Sequence, residues 1–497
     1  MSDTIDSNVS RSANVPDADA GAVLLRGGSV IDGSGAPAYV ADVLIEHGRI
    51  AAIGPALAVP AGTHVLEVGG LVVCPGFIDV HTHDDNIVLL APEMRPKISQ
   101  GVTTEVVGNC GISLAPLLPV APVPPPLNLL GGSDGFRYGE LAAYADAVDA
   151  ARPAVNVAAL IGHTSLRVAH VADLLRKATP AELAAMERSL ALAMAQGAIG
   201  MSSGVFYAPA AAADIGEVAA LARVAAAGGG VYATHIRDEF SAILDSMREA
   251  MDAAGSAHVP LILSHHKCAG PHNWGRTTET LALIDRAARE QSIALDVYPY
   301  VAGSTVLRTD LVDGVIEILV TWSEPYPELA GRSLASIAAD WGCSQQEACD
   351  RLQPGGACYF QMDEDDVQRV LRHPQSMIGS DGLPHDRHPH PRLWGTFPRV
   401  LGRYCRELKL FGLETAVHKM TGMSAGRFGL RARGLVRVGY HADLVVFDPA
   451  TVADRATFAA PSEISAGIEH VYVNGVPSYR AGSWQGGRGG RFLRHGG

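Results

Sequence analysis

Eight apolar runs of strand length alternate with helical spacers through the middle of this 497-residue chain, and that alternation constrains its fold more than any other feature. The runs are "GFIDVHTH" (76–83), "TTEVVGN" (103–109), "VNVAALIGH" (155–163), "AIGMSSG" (198–204), "VYATHI" (231–236), "PLILSHH" (260–266), "ALDVYPY" (294–300) and "SMIGSDG" (376–382). Between two of them, "TPAELAAMERSLALAMAQG" predicts a helix with Thr179 as N-cap, Pro180 at the first position, Glu182 completing a capping box and Gly197 as the stop. In "DEFSAILDSMREAMDAAG", Ile243, Met247, Ala250 and Ala254 fall on one apolar stripe. Eight buried-type strands with helical spacers fit a (β/α)8 TIM-like barrel better than an open doubly wound sheet.

The rest of the chain is arranged around that barrel, expected over 76–429. Residues 22–75 and 430–490 have short Val/Ile/Leu runs cut by glycine turns, with a hairpin signal at Asn474-Gly475. They predict one small β-sandwich domain built from both chain ends. The gap before the last barrel run is too long for a loop and contains the helical stretch "SLASIAADWGCSQQEACDRL", so an inserted lid subdomain is expected at about 304–370. Residues 1–21 are polar and read as a mobile tail.

A net charge of −13 argues against nucleic acid or an anionic membrane as partner, while leaving room for a small anionic substrate. No apolar run is long enough to cross a bilayer, and the N-terminus has no secretion-signal core. Seven widely spaced cysteines then point to a reducing cytoplasm rather than a disulfide framework. The sequence carries no signal for oligomeric state.

Catalytic groups of such a barrel sit at the C-terminal ends of its strands. Here the runs end in His81 and His83, Cys110, His163, Ser202 and Ser203, His235, His265, Tyr298 or Tyr300, and Asp381. Each alone has a bland explanation as a packed histidine, an inert thiol or a turn residue. Their joint occurrence at one end of consecutive strands does not. The i, i+2 spacing of His81 and His83 sends both imidazoles to one side of the strand, which suits two ligands on one ion.

With "PGFIDVHTH", these residues resemble the amidohydrolase superfamily, which implies a mononuclear or binuclear metal site, usually zinc, that activates water. The cyclic-amide branch bridges two metals with a carboxylated lysine on strand 4, yet "AIGMSSG" has no lysine. "SHHKCAG" lacks the HxxE of the deaminase branch. A missing bridge calls for another anionic ligand, and Cys110 is the candidate.

The motifs "HTHDD", "VVGNCG", "SSGVFYAP", "THIRDE", "SHHK", "YPYVAGST", "YFQMDEDD" and "GSDGLPHDRHPHPRLWGTFPRVLGRY" resemble the D-aminoacylase (N-acyl-D-amino-acid deacylase) family from about residue 22 to 485. The resemblance implies hydrolysis of an N-acyl-D-amino acid. It implies a tight zinc on Cys110, His235 and His265 and a second, weaker position at His81 and His83. Asp381 matches the catalytic carboxylate, base toward water and then acid toward the leaving amine. Lys267 and Tyr207 match the positions that receive the substrate carboxylate, with Ser304 adding a hydroxyl. Phe206, Tyr359 and Met362 match positions near the side-chain pocket, whose apolar lining favours D-Met, D-Leu or D-Phe over acidic side chains. For Tyr359 and Met362, ordinary packing in the insert is the competing explanation. Arg237 is either a second cation for substrate or a salt-bridge partner of Asp238 or Glu239, and His163 is expected to face the site. The alternatives are an N-acyl-D-glutamate or D-aspartate deacylase, another amidohydrolase, and a non-catalytic scaffold barrel; the last predicts lost ligands.

Overall fold

Eight strands of the described residues form one parallel sheet in chain order: Phe77–Asp79, Val102–Val107, Asn156–Gly162, Gly200–Gly204, Val231–His235, Leu261–Leu263, Ile293–Val297 and Ser376–Ile378. We call them barrel strands 1 to 8. The computed structural model describes residues 21–119 and 122–496; residues 1–20, nearly all of the expected tail, lie outside it. Every residue of the eight strands is buried, as strands covered on both faces require. Strands 8 and 1 meet beyond their ends, where Thr82 bridges Gly382 in parallel and the Asp381 amide donates to the His81 carbonyl at 2.8 Å. The sheet thereby closes into the (β/α)8 barrel.

The two faces pack differently. Ile78, Val106, Leu160, Ala233, Ile262, Ala294 and Met377 form one core cluster with Phe428 and Leu430, which fills the barrel interior. The outer residues of the same strands pack against helices. One of these is Pro180–Ala195, where the Thr179 hydroxyl accepts from the Glu182 amide and the Glu182 carboxylate accepts from the Thr179 amide, completing the box. Another, Ile243–Ala257, buries Ile243, Met247, Ala250 and Ala254 as its stripe requires. No helix among the described residues is long and apolar enough to cross a membrane.

Both chain ends build a separate nine-stranded sheet. Its halves join where Leu444–Phe447 pairs antiparallel with Val72–Pro75. The hairpin between Ile468–Val473 and Val476–Arg480 turns at Asn474 and Gly475, both at positive φ, the geometry that an Asn-Gly pair supplies. After this sheet the chain returns to the barrel, where Phe492 bridges Val157.

The insert is more than helical. A three-stranded antiparallel sheet, Gly303–Val306, Gly355–Tyr359 and Ile318–Ser323, carries the helices Leu334–Trp341 and Gln345–Leu352 on its own core. It leaves strand 7 on the C-terminal side and so covers the face where the barrel strands end.

Candidate active site

Strand 2 delivers Cys110 through a turn that only this sequence pattern allows. Gly108, Cys110 and Gly111 all have positive φ. A Cβ on Gly108 would lie 2.0 Å from the Leu160 carbonyl oxygen, and one on Gly111 would lie 2.6 Å from the Gly204 nitrogen. The glycines are therefore required by close approach to strands 3 and 4 as well as by conformation. His265 and Asp381 also hold positive φ, at 35° and 49°. Three residues of the site thus hold left-handed backbone without being glycine, a costly conformation that persists only where the surroundings hold it.

The side chains converge on one sulfur. Cys110 Sγ lies 3.2 Å from His81 Nε2 and 3.4 Å from His265 Nε2. Two donor groups share it: Cys110, His235 and His265 in one, and His81, His83, Cys110 and Asp381 in the other, each with its ligand atoms within 4.8 Å of one another. Both ring nitrogens of His235 and the Nδ1 of His83 are buried with no hydrogen-bond partner among the described residues. A thiolate with two imidazoles is a standard zinc donor set that leaves a fourth position open. The residues present fit such an ion.

The electrostatics favour a cation here. Burial alone would push the Cys110 thiol up, but the His81 and His265 imidazoles bring it well below its ordinary value. Burial holds His235 below the ordinary histidine value, so it presents a neutral ring. Burial also opposes ionisation of Asp381, yet Arg392 and His81 keep its carboxyl well below the usual carboxylate range. Arg392 Nη1 reaches Asp381 Oδ2 at 2.9 Å, while Oδ1 lies 3.2 Å from His83 Nε2. Asp296 orients the His81 ring, lying 3.2 Å from its Nδ1, and fixes the backbone at His265 by accepting from its amide at 2.8 Å. Below them, fully buried Lys97 ties Asp79 to Ser380 at 2.7 and 2.9 Å, locking strand 1 to strand 8 beside Asp381.

Over the metal donors lies a cavity with an apolar wall of Leu129, Phe206, Leu311 and Leu383. Phe206 stacks on His235 with ring centroids 5.0 Å apart. Tyr207, whose hydroxyl meets Thr305 Oγ1 at 3.0 Å, Tyr298 and Tyr359 also line it. Tyr359 spends its hydroxyl on the Arg308 amide and the Val306 carbonyl and presents only its ring. The Ser304 hydroxyl lines the cavity and has no partner among the described residues. Lys267 Nζ stands at the edge, 2.6 Å from Glu239 Oε1 and 3.0 Å from His265 Nδ1.

Three residues expected at the site are placed elsewhere. His163 opens the helix His163–His170, and its Nε2 meets Glu217 at 2.9 Å, a carboxylate also held by Arg167. Its ring is held by Glu217 and does not line the cavity over the metal donors. Arg237 is neither a substrate cation nor a partner of Asp238 or Glu239. Its guanidinium is taken up by Glu249 at 2.8 Å and by the carbonyls of Ala211 and Ala213. Met362 lies in an adjoining pocket, its sulfur 3.9 Å from the Tyr298 hydroxyl, and does not line the main cavity. Conversely, Glu239, Asp296 and Arg392 were not read from the sequence. Only Glu239 had a usable signal, as the acid four residues after His235 in "THIRDE".

The donor set, its place at the strand ends and the closed parallel barrel decide the family. The amidohydrolase family model matches residues 65–298 and 332–479. The chain belongs to the amidohydrolase family. Within it, the D-aminoacylase of Alcaligenes xylosoxydans xylosoxydans is 54% identical over 471 residues, covering 95% of this chain and 97% of the relative. This amidohydrolase also superposes on a crystal structure of D-aminoacylase with a TM-score of 0.92, at 54% identity, over 95% of this chain and 99% of that one. The N-acyl-D-glutamate deacylase of Bordetella bronchiseptica, complexed with zinc and a phosphonate mimic of the tetrahedral intermediate, matches equally in shape. Its TM-score is 0.92 at 47% identity, over 95% of this chain and 99% of that one. The chain is thus a member of the D-aminoacylase group of amidohydrolases.

Proposed function

We propose that this amidohydrolase cleaves the amide bond of N-acyl-D-amino acids, releasing a carboxylate and a free D-amino acid, with zinc on Cys110, His235 and His265. The observation that carries this reading is the convergence of those three donors, with Asp381 in the second donor group that shares the same sulfur. The second donor group, through His81 and His83, provides a weaker position. Bound at these residues, zinc supplies Lewis-acid polarisation and lowers the pKa of water.

The protein's own groups do the rest. Arg392 occupies Asp381 Oδ2, leaving Oδ1 toward the metal donors. From there Asp381 takes a proton from the attacking water and delivers it to the amide nitrogen as the C–N bond breaks, which amine departure requires. Lys267 receives the substrate carboxylate, moving from Glu239, and Ser304 and Tyr207 add hydroxyl donors. Carboxylate anchor, metal and side-chain wall make three points, enough to distinguish one hand of the α-carbon.

The apolar wall supports D-Met, D-Leu and D-Phe derivatives. Among the described residues the cations at and near the cavity are already committed: Lys267 to the substrate's own carboxylate in this reading, Arg392 to Asp381 and Arg308 to Asp310. Burying an acidic side chain there would leave it uncompensated. A second reading, an acidic N-acyl-D-amino acid as substrate, draws on Arg308, whose guanidinium carbon lies 4.3 Å from the Phe206 ring. The seven free thiols support a reducing compartment, the cytoplasm.

Hydrolysis of paired N-acetyl D- and L-amino acids, with metal analysis of the same preparation, tests the proposal. D-selective turnover of the Met, Leu and Phe derivatives with bound zinc is expected. L-selective turnover, or neither zinc nor turnover, overturns it, and preference for D-Asp or D-Glu derivatives selects the second reading. Lys267→Ala should lower kcat/KM by about 10- to 100-fold, mainly through KM, because it removes one charge-assisted hydrogen bond to the substrate carboxylate.

A further inference from the structure

The turn that carries Cys110 is held by a residue with no metal-binding role of its own. The Ser202 hydroxyl, fully buried on strand 4, donates to the Gly108 carbonyl at 2.5 Å and accepts from the Gly111 amide at 2.9 Å. One oxygen thus clamps both ends of the Gly108–Gly111 turn, and between them Cys110 sits at φ 52°. Strand 4 is shaped to the turn a second time. A Cβ on Gly204 would lie 2.1 Å from the Cys110 carbonyl oxygen, so only glycine lets the strand come this close. Left-handed backbone at a non-glycine residue carries a conformational cost and persists only where its surroundings hold it.

We infer that Ser202 is the positioning residue for the Cys110 thiolate: its two hydrogen bonds keep the turn in the conformation that aims the sulfur at His235 and His265. The inference rests on Cys110 being a ligand of the tight zinc. Groups that fix a ligand's orientation typically change metal affinity by about 10- to 100-fold when removed.

The adjacent residue provides the control. Ser203 is equally buried, but adjacent strand residues face opposite ways, and its hydroxyl meets Tyr232 and Thr234 at 2.8 Å each. Removing either hydroxyl deletes one buried polar group; only one of them touches the cysteine turn.

The test measures zinc affinity by chelator competition on the full-length chain and three variants, Ser202→Ala, Ser203→Ala and Ser202→Thr. Thermal melting of the metal-free forms shows whether each variant folds. Ser202→Ala should bind zinc about 10- to 100-fold more weakly, and its cobalt-substituted form should lose or shift the thiolate-to-cobalt charge-transfer absorption. Ser203→Ala should bind as the parent does, and Ser202→Thr, which keeps the hydroxyl, should restore affinity. Unchanged affinity in Ser202→Ala overturns the inference, as does an equal loss in Ser203→Ala. Cys110→Ala, measured in parallel, separates the two levels. If it keeps tight zinc, the ligand assignment itself fails; if it loses zinc while Ser202→Ala does not, only the positioning role fails.

Discussion

Replacing Cys110 by alanine should leave a folded protein that no longer retains zinc through gel filtration and whose kcat/KM falls by about 10³-fold or more. The size of the effect follows from the sharing of one sulfur between both donor groups. Its removal leaves two imidazoles and no anionic ligand in the first group and strips the second of its thiolate. Two imidazoles alone make a poor site for a cation that prefers four donors with anionic charge. The barrel should survive, because the turn is held by backbone and Ser202 contacts rather than by the sulfur. Metal analysis on the purified variant, with activity on an N-acetyl-D-amino acid before and after added zinc, makes the measurement. A variant that kept full zinc and full activity would show that the shell around Cys110 is not the metal site.

Asp381→Asn separates chemistry from binding. Asparagine keeps the size of the side chain and a polar oxygen beside the buried Arg392 guanidinium, whose opposite charge is lost in either variant; alanine would remove the polar atoms as well. Cys110, His235 and His265 are untouched, so tight zinc should remain. The amide side chain takes up no proton, and kcat should fall by about 10²- to 10⁴-fold, the usual contribution of a positioned acid–base group. KM should change little, since the carboxylate anchor at Lys267 stands apart from this group. Loss of tight zinc together with activity would make Asp381 a ligand first and a base second. Retention of both would remove it from the mechanism.

The sequence exposed some parts of this site and concealed others for reasons that can be named. The strand ends were legible because burial on both faces leaves continuous apolar runs, and the polar residue that stops each run marks the strand end. His81 and His83 were legible because alternation along a strand is a local rule. Arg392 and Asp296 were not. Their partners lie far off in the chain, Asp296 being 215 residues from His81, and nothing local marks a buried arginine or an orienting carboxylate. His163 obeyed the rule for position but not for direction, since the chain passes straight from strand 3 into a helix that rotates the ring onto Glu217. In the insert, the strand Gly355–Tyr359 was hidden by its glycines, although they are needed there: a Cβ on Gly356 would lie 2.3 Å from Trp322 Nε1.

By itself, then, the sequence determined the number and order of the barrel strands, the capped helix at Thr179, the Asn474-Gly475 hairpin and the set of residues able to bind a metal. Each depends on periodicity or turn chemistry within a few residues. Only the tertiary structure decided that one sulfur serves two donor groups, that Arg392 holds Asp381, that Glu239 holds Lys267, and that His163, Arg237 and Met362 stand aside. Those outcomes depend on where a side chain points after the barrel closes and on which distant partner reaches it first, and neither quantity is encoded in local spacing.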